Sequence, residues 1–325
     1  MKDLIKILKI GTTTSEYPYF CQHINFTEDR IQTCSGSVFV EMHDNPFPIL
    51  GCVNIHVLEG ILNNCETPQI TQNGGVLRIE DGPYKSDIMV DALEFPEQMK
   101  FKTDMIEITD EMLHVLKTAI KHTGEGILSY IFIDRETILS TQNKKQVFYH
   151  AHEIPMHTDQ FIGINKKIMT VLSKGVEIGS FEGNTIVKFS GGTITFKIAL
   201  LDNFPKEDCL TRFKEQLKLN KVCNIEKLQE AVKKVQSVLY GNKDKLVTLT
   251  NDNEILTIKA ESISHGESTV KIKSDFDQMF SINMKVSYLS GIDADYDVFI
   301  TMFDPHFLYL KNGESEIVLA GVVHI

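Results

Sequence analysis

The sequence predicts an α+β chain of three repeated domains, each with two helices packed on antiparallel sheets. Three observations carry that expectation. Short runs of β-branched and aromatic residues alternate with Gly, Asn and Asp turns through most of the 325 residues. Six stretches interrupt this pattern with helical spacing. Their approximate centres, at 6, 59, 115, 170, 232 and 288, follow one another at intervals of 53, 56, 55, 62 and 56 positions. One helix followed by several strands at that interval is a structural repeat, and two such units make ~105 residues, a comfortable size for one core. Three domains then fill the chain, at 1–101, 102–205 and 206–325.

Strands are expected at 22–26, 37–42, 76–79, 127–133, 147–152, 186–189, 193–198, 246–250, 255–260, 298–303 and 307–310. Turns such as Asn73-Gly74-Gly75, Glu182-Gly183-Asn184, Asn251-Asp252-Asn253 and Asn312-Gly313 join them as hairpins. Helices are expected at 2–10, 54–64, 109–122, 165–174, 224–240 and 283–291. Asn54, Thr109, Asn165, Asn224 and Asn283 are placed to accept hydrogen bonds from the first free helical N–H groups, and Gly124, Gly175 and Gly241 follow three of the helix ends. Proline and charge at 95–103 and at Asn203-Phe204-Pro205-Lys206 mark the joins. No low-complexity linker separates the domains.

The chain holds 33 Lys and Arg against 44 Asp and Glu, so its formal charge of −11 excludes a protein that coats nucleic acid with its whole surface. The charge is unevenly placed. The six helical stretches together carry +6, which leaves −17 for everything else. On the first, Leu4, Ile5 and Leu8 form an apolar stripe while Lys2, Lys6 and Lys9 share another face. His114, Lys117 and Lys121 align on the third, Lys167, Thr170 and Lys174 on the fourth, and Lys227, Glu230 and Lys234 on the fifth, beside Lys233. The sixth offers Lys285. Such lysines can be the solvated faces of amphipathic helices. In a ring with the helices inside, they instead face a channel where phosphate contacts hold a duplex without reading its bases.

Six cysteines without a CxxC pair suggest reduced thiols rather than a zinc ribbon or disulfide framework. The short apolar runs and the polar start Met1-Lys2-Asp3 point to a soluble cytoplasmic protein without signal peptide or membrane helix. No GxxxxGK[ST], GxGxxG or GxSxG motif supports nucleotide hydrolysis, dinucleotide binding or a nucleophile elbow.

The order of several motifs resembles one family. Phe196-Lys197-Ile198-Ala199-Leu200-Leu201-Asp202-Asn203-Phe204-Pro205-Lys206 leads to the helix from Asn224, then to Ile282, Val286-Ser287-Tyr288-Leu289 and Phe303-Asp304-Pro305, before a final strand. This resembles the bacterial DNA polymerase sliding clamp, the β clamp or DNA polymerase III subunit beta. The likeness is clearest over 108–325, and residues 1–100 match in pattern alone. It implies a DNA-clamp fold closing as a head-to-tail homodimer into a ring around double-stranded DNA. An ATP-dependent clamp loader would open the ring, which would then tether the replicative polymerase as a processivity factor with no catalytic residue and no cofactor. The channel lysines would be Lys2, Lys6, Lys9, Lys117, Lys121, Lys167, Lys174, Lys227, Lys234 and Lys285.

The resemblance also implies a partner-peptide pocket, matched here by Thr141, Val147, Pro205, Leu319, Val322 and Val323. The C-terminus Ala320-Gly321-Val322-Val323-His324-Ile325 lacks the family's Met-Pro-Met-Arg-type ending, and Lys206-Glu207-Asp208-Cys209 replaces an aromatic and arginine stretch, which implies a different peptide preference. The divergence suits a bacteriophage-encoded or distant member, working in a bacterial or host cytoplasm. Two alternatives stand beside this reading. His150, His152, Glu153 and His157 could hold a metal in a hydrolase, since positions 150 and 152 share one face of a strand. A β-rich structural protein would share the hairpins but has no use for regularly spaced lysines.

Overall fold

The computed structural model describes residues 2–14, 18–97, 101–142, 146–157, 160–198, 201–214, 219–301 and 307–321. The chain divides into two compact units, Met1–Leu113 with Ile162–Leu201, and His114–Phe161 with Asp202–Ile325.

In the first unit one antiparallel sheet runs in the order Gly51–Asn54, His23–Phe26, Ile31–Cys34, Val38–Met42, Gly192–Lys197, Asn184–Phe189, Glu177–Phe181 and Ile106–Glu107. Ile24, Ile31, Val40, Val53, Ile178, Val187 and Ile194 are buried along it. The strand Gly192–Lys197 pairs with Val38–Met42, so distant parts of the chain meet edge to edge and neither edge is left open. A Cβ at Gly192 would lie 2.5 Å from the Glu41 carbonyl oxygen, and only glycine permits that approach. A second sheet in this unit holds Gln69–Asn73, Val76–Asp81 and Tyr84–Met89.

The second unit repeats the plan. One of its sheets runs Ile131–Ile133, Thr137–Gln142, Gln146–Ala151, Ser315–Ala320, Phe307–Asn312, Asp297–Ile300 and Asn220–Asn224, again antiparallel throughout. Here Gln146–Ala151 pairs with Ser315–Ala320, bringing the middle of the sequence to its last described strand. The other sheet is Gly266–Lys273, Ile255–Ser262, Leu246–Asp252 and Phe280–Lys285.

Seven α-helices are described: α1 (Lys2–Leu8), α2 (Ile55–Asn63), α3 (Asp110–Ala119), α4 (Lys166–Met169), α5 (Lys206–Lys214), α6 (Ile225–Val235) and α7 (Val286–Ser290). Each of α1, α2 and α6 buries the stripe its spacing predicts: Ile5 and Leu8 on α1, Ile55, Leu58 and Leu62 on α2, and Ile225, Leu228, Ala231, Val232 and Val235 on α6. The Asn54 side chain accepts from the N–H groups of His56 and Val57, Thr109 Oγ1 from Met112, Asn165 from Ile168 and Asn224 from Glu226.

Four expectations need correction. The stretch 165–174 is helical only over Lys166–Met169, after which the N–H groups of Thr170 and Val171 donate to the carbonyls three residues back and the chain turns toward Gly175 (φ 80°). Asn283 is not a cap but a member of Phe280–Lys285, where its side chain accepts from Thr248 Oγ1, and α7 starts at Val286 without a side-chain cap. Of 127–133 only Ile131–Ile133 is a strand, because Gly126–Ser129 forms a 3-10 turn with Gly126 at φ 59°. The join at Lys206 is a helix. Proline at 205 suits a position just before a helix as well as it suits a linker, and α5 buries Cys209 and Leu210 and stacks Phe213 on Tyr149 at 5.0 Å. All six cysteines are buried free thiols, and burial pushes the Cys223 thiol up to about 12. No helix among the described residues is long and apolar enough to cross a membrane.

Candidate nucleic-acid interface and partner site

The lysine-bearing helices are brought together within each unit. In the first, α1 and the turn after α4 border one apolar cleft of about 520 Å³, lined by Lys6, Ile7, Ile10, Thr170, Val171 and Leu172 among others. Lys9 Nζ meets the Glu59 carboxylate of α2 at 2.7 Å. In the second unit Gln229 Nε2 of α6 donates to the carbonyls of Leu289 and Ile292, tying α6 to the end of α7. Asp293, just beyond, accepts from Thr118 Oγ1 and Lys121 Nζ at the end of α3. Burial works to raise the Asp293 pKa, but the hydrogen bonds from Lys121 and Thr118 hold it below its ordinary value.

The candidate channel lysines fall into two groups. Lys6 pairs with Asp3 at 2.9 Å, Lys9 with Glu59, Lys121 with Asp293 at 2.9 Å, Lys174 with Asp110 at 2.5 Å and Lys285 with Asp244 at 2.8 Å. Lys117, Lys167, Lys227 and Lys234 are exposed and have no ion pair among the described residues, and the same holds for their neighbours Lys166 and Lys233. The side chain of Lys2 lies outside the described residues. Sequence spacing placed these lysines on common faces but could not separate the two groups, because the partner acids lie 3 to 172 positions away.

Three of the expected partner-site residues lie inside one sheet. Thr141 and Val147 are cross-strand neighbours, and Leu319 pairs with Gln146 in the next strand. All three are 0% exposed, so they form the floor of this sheet. Thr141 Oγ1 donates to the Gln146 carbonyl at 2.9 Å. Pro205 is half-buried, and Val322 and Val323 lie outside the described residues.

Sequence reading missed an aromatic stack beside Pro205. Phe132 stacks on Phe161 at 5.5 Å and on Phe204 at 5.2 Å, and Lys206 Nζ sits 5.9 Å from the Phe132 ring centre while it pairs with Asp134. Burial acts to raise the Asp134 pKa, but the hydrogen bonds from Lys206, the Glu136 amide and Thr137 carry it down. The signal for this cluster was Phe204-Pro205-Lys206 itself, but its partners at 132, 134 and 161 are set by the fold. Nearby, His122 is 1% exposed, stacks on Phe148 at 5.8 Å and bonds Gln146 through Nδ1. Desolvation lowers its pKa to about 4, so the ring is neutral.

The histidines expected to serve a hydrolase do not all converge. Glu153 is exposed and 3.9 Å from Arg135, and His157 does not join His150 and His152. Those two approach Glu314 instead.

Antiparallel sheets that join distant segments edge to edge, with lysines recurring on α1, α3, α4 and α6, fit the expected DNA-clamp fold. No family model matches the sequence, and no curated protein matches it. Solved structures do. The chain is similar to a DnaN sliding clamp of Pseudomonas aeruginosa bound to griselimycin, with a TM-score of 0.82 and 13% identity over 100% of this chain and 97% of that one. The Helicobacter pylori beta clamp bound to a DNA ligase peptide matches with a TM-score of 0.79 and 13% identity over 99% and 97%. The Caulobacter crescentus DNA polymerase sliding clamp matches with a TM-score of 0.79 and 14% identity, again over 99% and 97%. The fold over the whole chain is therefore that of the bacterial sliding clamp.

Proposed function

We propose that this chain is a DNA sliding clamp. In this reading the segments 1–101, 102–205 and 206–325 are three domains of one design, and two chains close head to tail into a ring around duplex DNA. An ATP-dependent loader opens the ring, and the closed ring tethers a replicative polymerase in the cytoplasm, raising its effective concentration at the primer end. The protein performs no catalysis of its own and needs no cofactor.

The observation that carries the reading is the full-length match to sliding clamps. The distribution of charge supports it independently: a chain of net charge −11 carries +6 on its six helical stretches, as a sequence-neutral duplex channel requires. The peptide bound to the H. pylori clamp supports a partner-peptide site here, for which the half-buried Phe161 and Pro205, backed by the buried Phe132 and Phe204, supply apolar surface.

Native mass spectrometry at micromolar concentration, paired with primer extension on circular DNA by a partner polymerase, tests the proposal. The expected species has twice the 36.8 kDa mass of one chain. The expected products lengthen when the protein is loaded. A monomer that neither binds duplex DNA nor changes product length refutes it.

A further inference from the structure

The strand Gln146–Ala151 and the hairpin turn before Ser315–Ala320 meet at a group of metal-type donors that a clamp does not require. His150 and His152, two positions apart, project from the same side of the chain, with ring centres 5.8 Å apart and planes tilted by 32°. His150 is the cross-strand partner of Ser315, and its Nδ1 lies 2.8 Å from Ser315 Oγ. The hairpin has a two-residue turn, Gly313-Glu314, with Gly313 at φ 54°. The Ala151 N–H donates to the Glu314 carbonyl at 3.3 Å, which anchors this turn against the histidine-bearing strand. One donor atom from each of His150, His152 and Glu314 then lies within 4.8 Å of the others.

We propose that His150, His152 and Glu314 form a binding site for a divalent transition-metal ion of the zinc class. Two imidazoles and one carboxylate match such an ion, whereas calcium and magnesium favour oxygen donors alone. Donors around tetrahedral zinc sit about 3.3 Å apart, given zinc–nitrogen bonds of about 2.0–2.1 Å. The remaining contraction falls on Glu314, which is exposed, and His152, which is half-buried, while His150 is buried at 5% exposure and held by Ser315. A ring nitrogen held by a hydroxyl orients the imidazole, as outer partners of metal-bound histidines do. The exposed side leaves the fourth position to water. Bound there, the ion cross-links the middle of the chain to the C-terminal hairpin and adds to the stability of their sheet. The site stands on these residues alone and is independent of the clamp reading.

The full chain, stripped with chelator and titrated with zinc chloride in magnesium-containing buffer, is followed by calorimetry, native mass spectrometry and thermal unfolding. One zinc per chain and a raised melting temperature are expected. His152→Ala and Glu314→Gln, at half-buried and exposed positions, should each weaken zinc binding at least about tenfold, since loss of a mere outer partner already costs 10–100-fold. They should also remove the rise in melting temperature, with the circular dichroism of the metal-free protein unchanged. The chain has 11 histidines, so His265→Ala, at an exposed turn, is the control and should bind as the parent does. Absence of bound zinc overturns the site, and so does equal binding by His152→Ala and the parent.

Discussion

Replacing Lys117, Lys167, Lys227 and Lys234 with alanine removes the expected channel lysines that are exposed and make no ion pair among the described residues. Each lysine that neutralises a phosphate releases counterions and contributes about 0.9 to the slope of log affinity against log salt. Four such contacts amount to a slope change of up to about 3.6 per chain. Between 50 and 200 mM salt the parent should therefore lose up to about a hundredfold more affinity per chain than the variant. Fluorescence anisotropy with a labelled duplex at stepped salt measures the slope, with circular dichroism and native mass checked alongside. A control variant lacks Lys188, Lys259 and Lys311, which lie on strands and are paired with Glu177, with Glu261 and Glu267, and with Glu316. Its slope should match the parent's. A quadruple variant that keeps its fold and mass and also keeps the parent's slope refutes the channel assignment.

Other expectations follow from single contacts. Asp110→Asn frees Lys174 from its exposed ion pair and should strengthen duplex binding and steepen the salt slope, read by the same anisotropy titration. His122 is held at about 4 against an ordinary 6.5, so it favours the neutral ring in the folded state. Its contribution to stability is complete above pH 6.5, declines as pH falls from there, and is gone below about 4. The loss is on the order of 3 kcal/mol in total, and His122→Phe should remove that part of the difference between urea unfolding at pH 7 and pH 4.5. Gly192→Ala forces the Glu41 carbonyl away and should cost about 1–3 kcal/mol, seen as a lower denaturation midpoint, whereas Gly183→Ala, with open space around its Cβ but φ 73°, tests strain without a clash.

Much of the candidate interface was legible in the sequence because helical spacing is local. The positions of Lys117, Lys227 and Lys234 relative to Leu116, Leu228 and Val235 decide which face is buried, and the structure buries those apolar residues and exposes those lysines. Caps were legible for the same reason, since Asn54 and Asn224 act on amides two or three residues away. The helix at Lys206–Lys214 was not, because its charged, weakly amphipathic sequence follows a proline and reads equally well as a linker. Its place is decided by Tyr149 and by the pair of Lys206 with Asp134.

What the sequence determined by itself was the alternation, the helical stretches and the charge each carries, set by residues within one or two turns of each other, and the recurrence of those stretches every 53 to 62 positions. Which strands meet edge to edge, as Val38–Met42 meets Gly192–Lys197 and Gln146–Ala151 meets Ser315–Ala320, was decided only in three dimensions. So was the split between paired and unpaired lysines, and so was the meeting of Glu314 with two histidines more than 160 positions earlier. Hydrogen bonding between strands is blind to sequence distance. The packing of side chains across the sheets therefore selects one pairing among the many that local pattern allows.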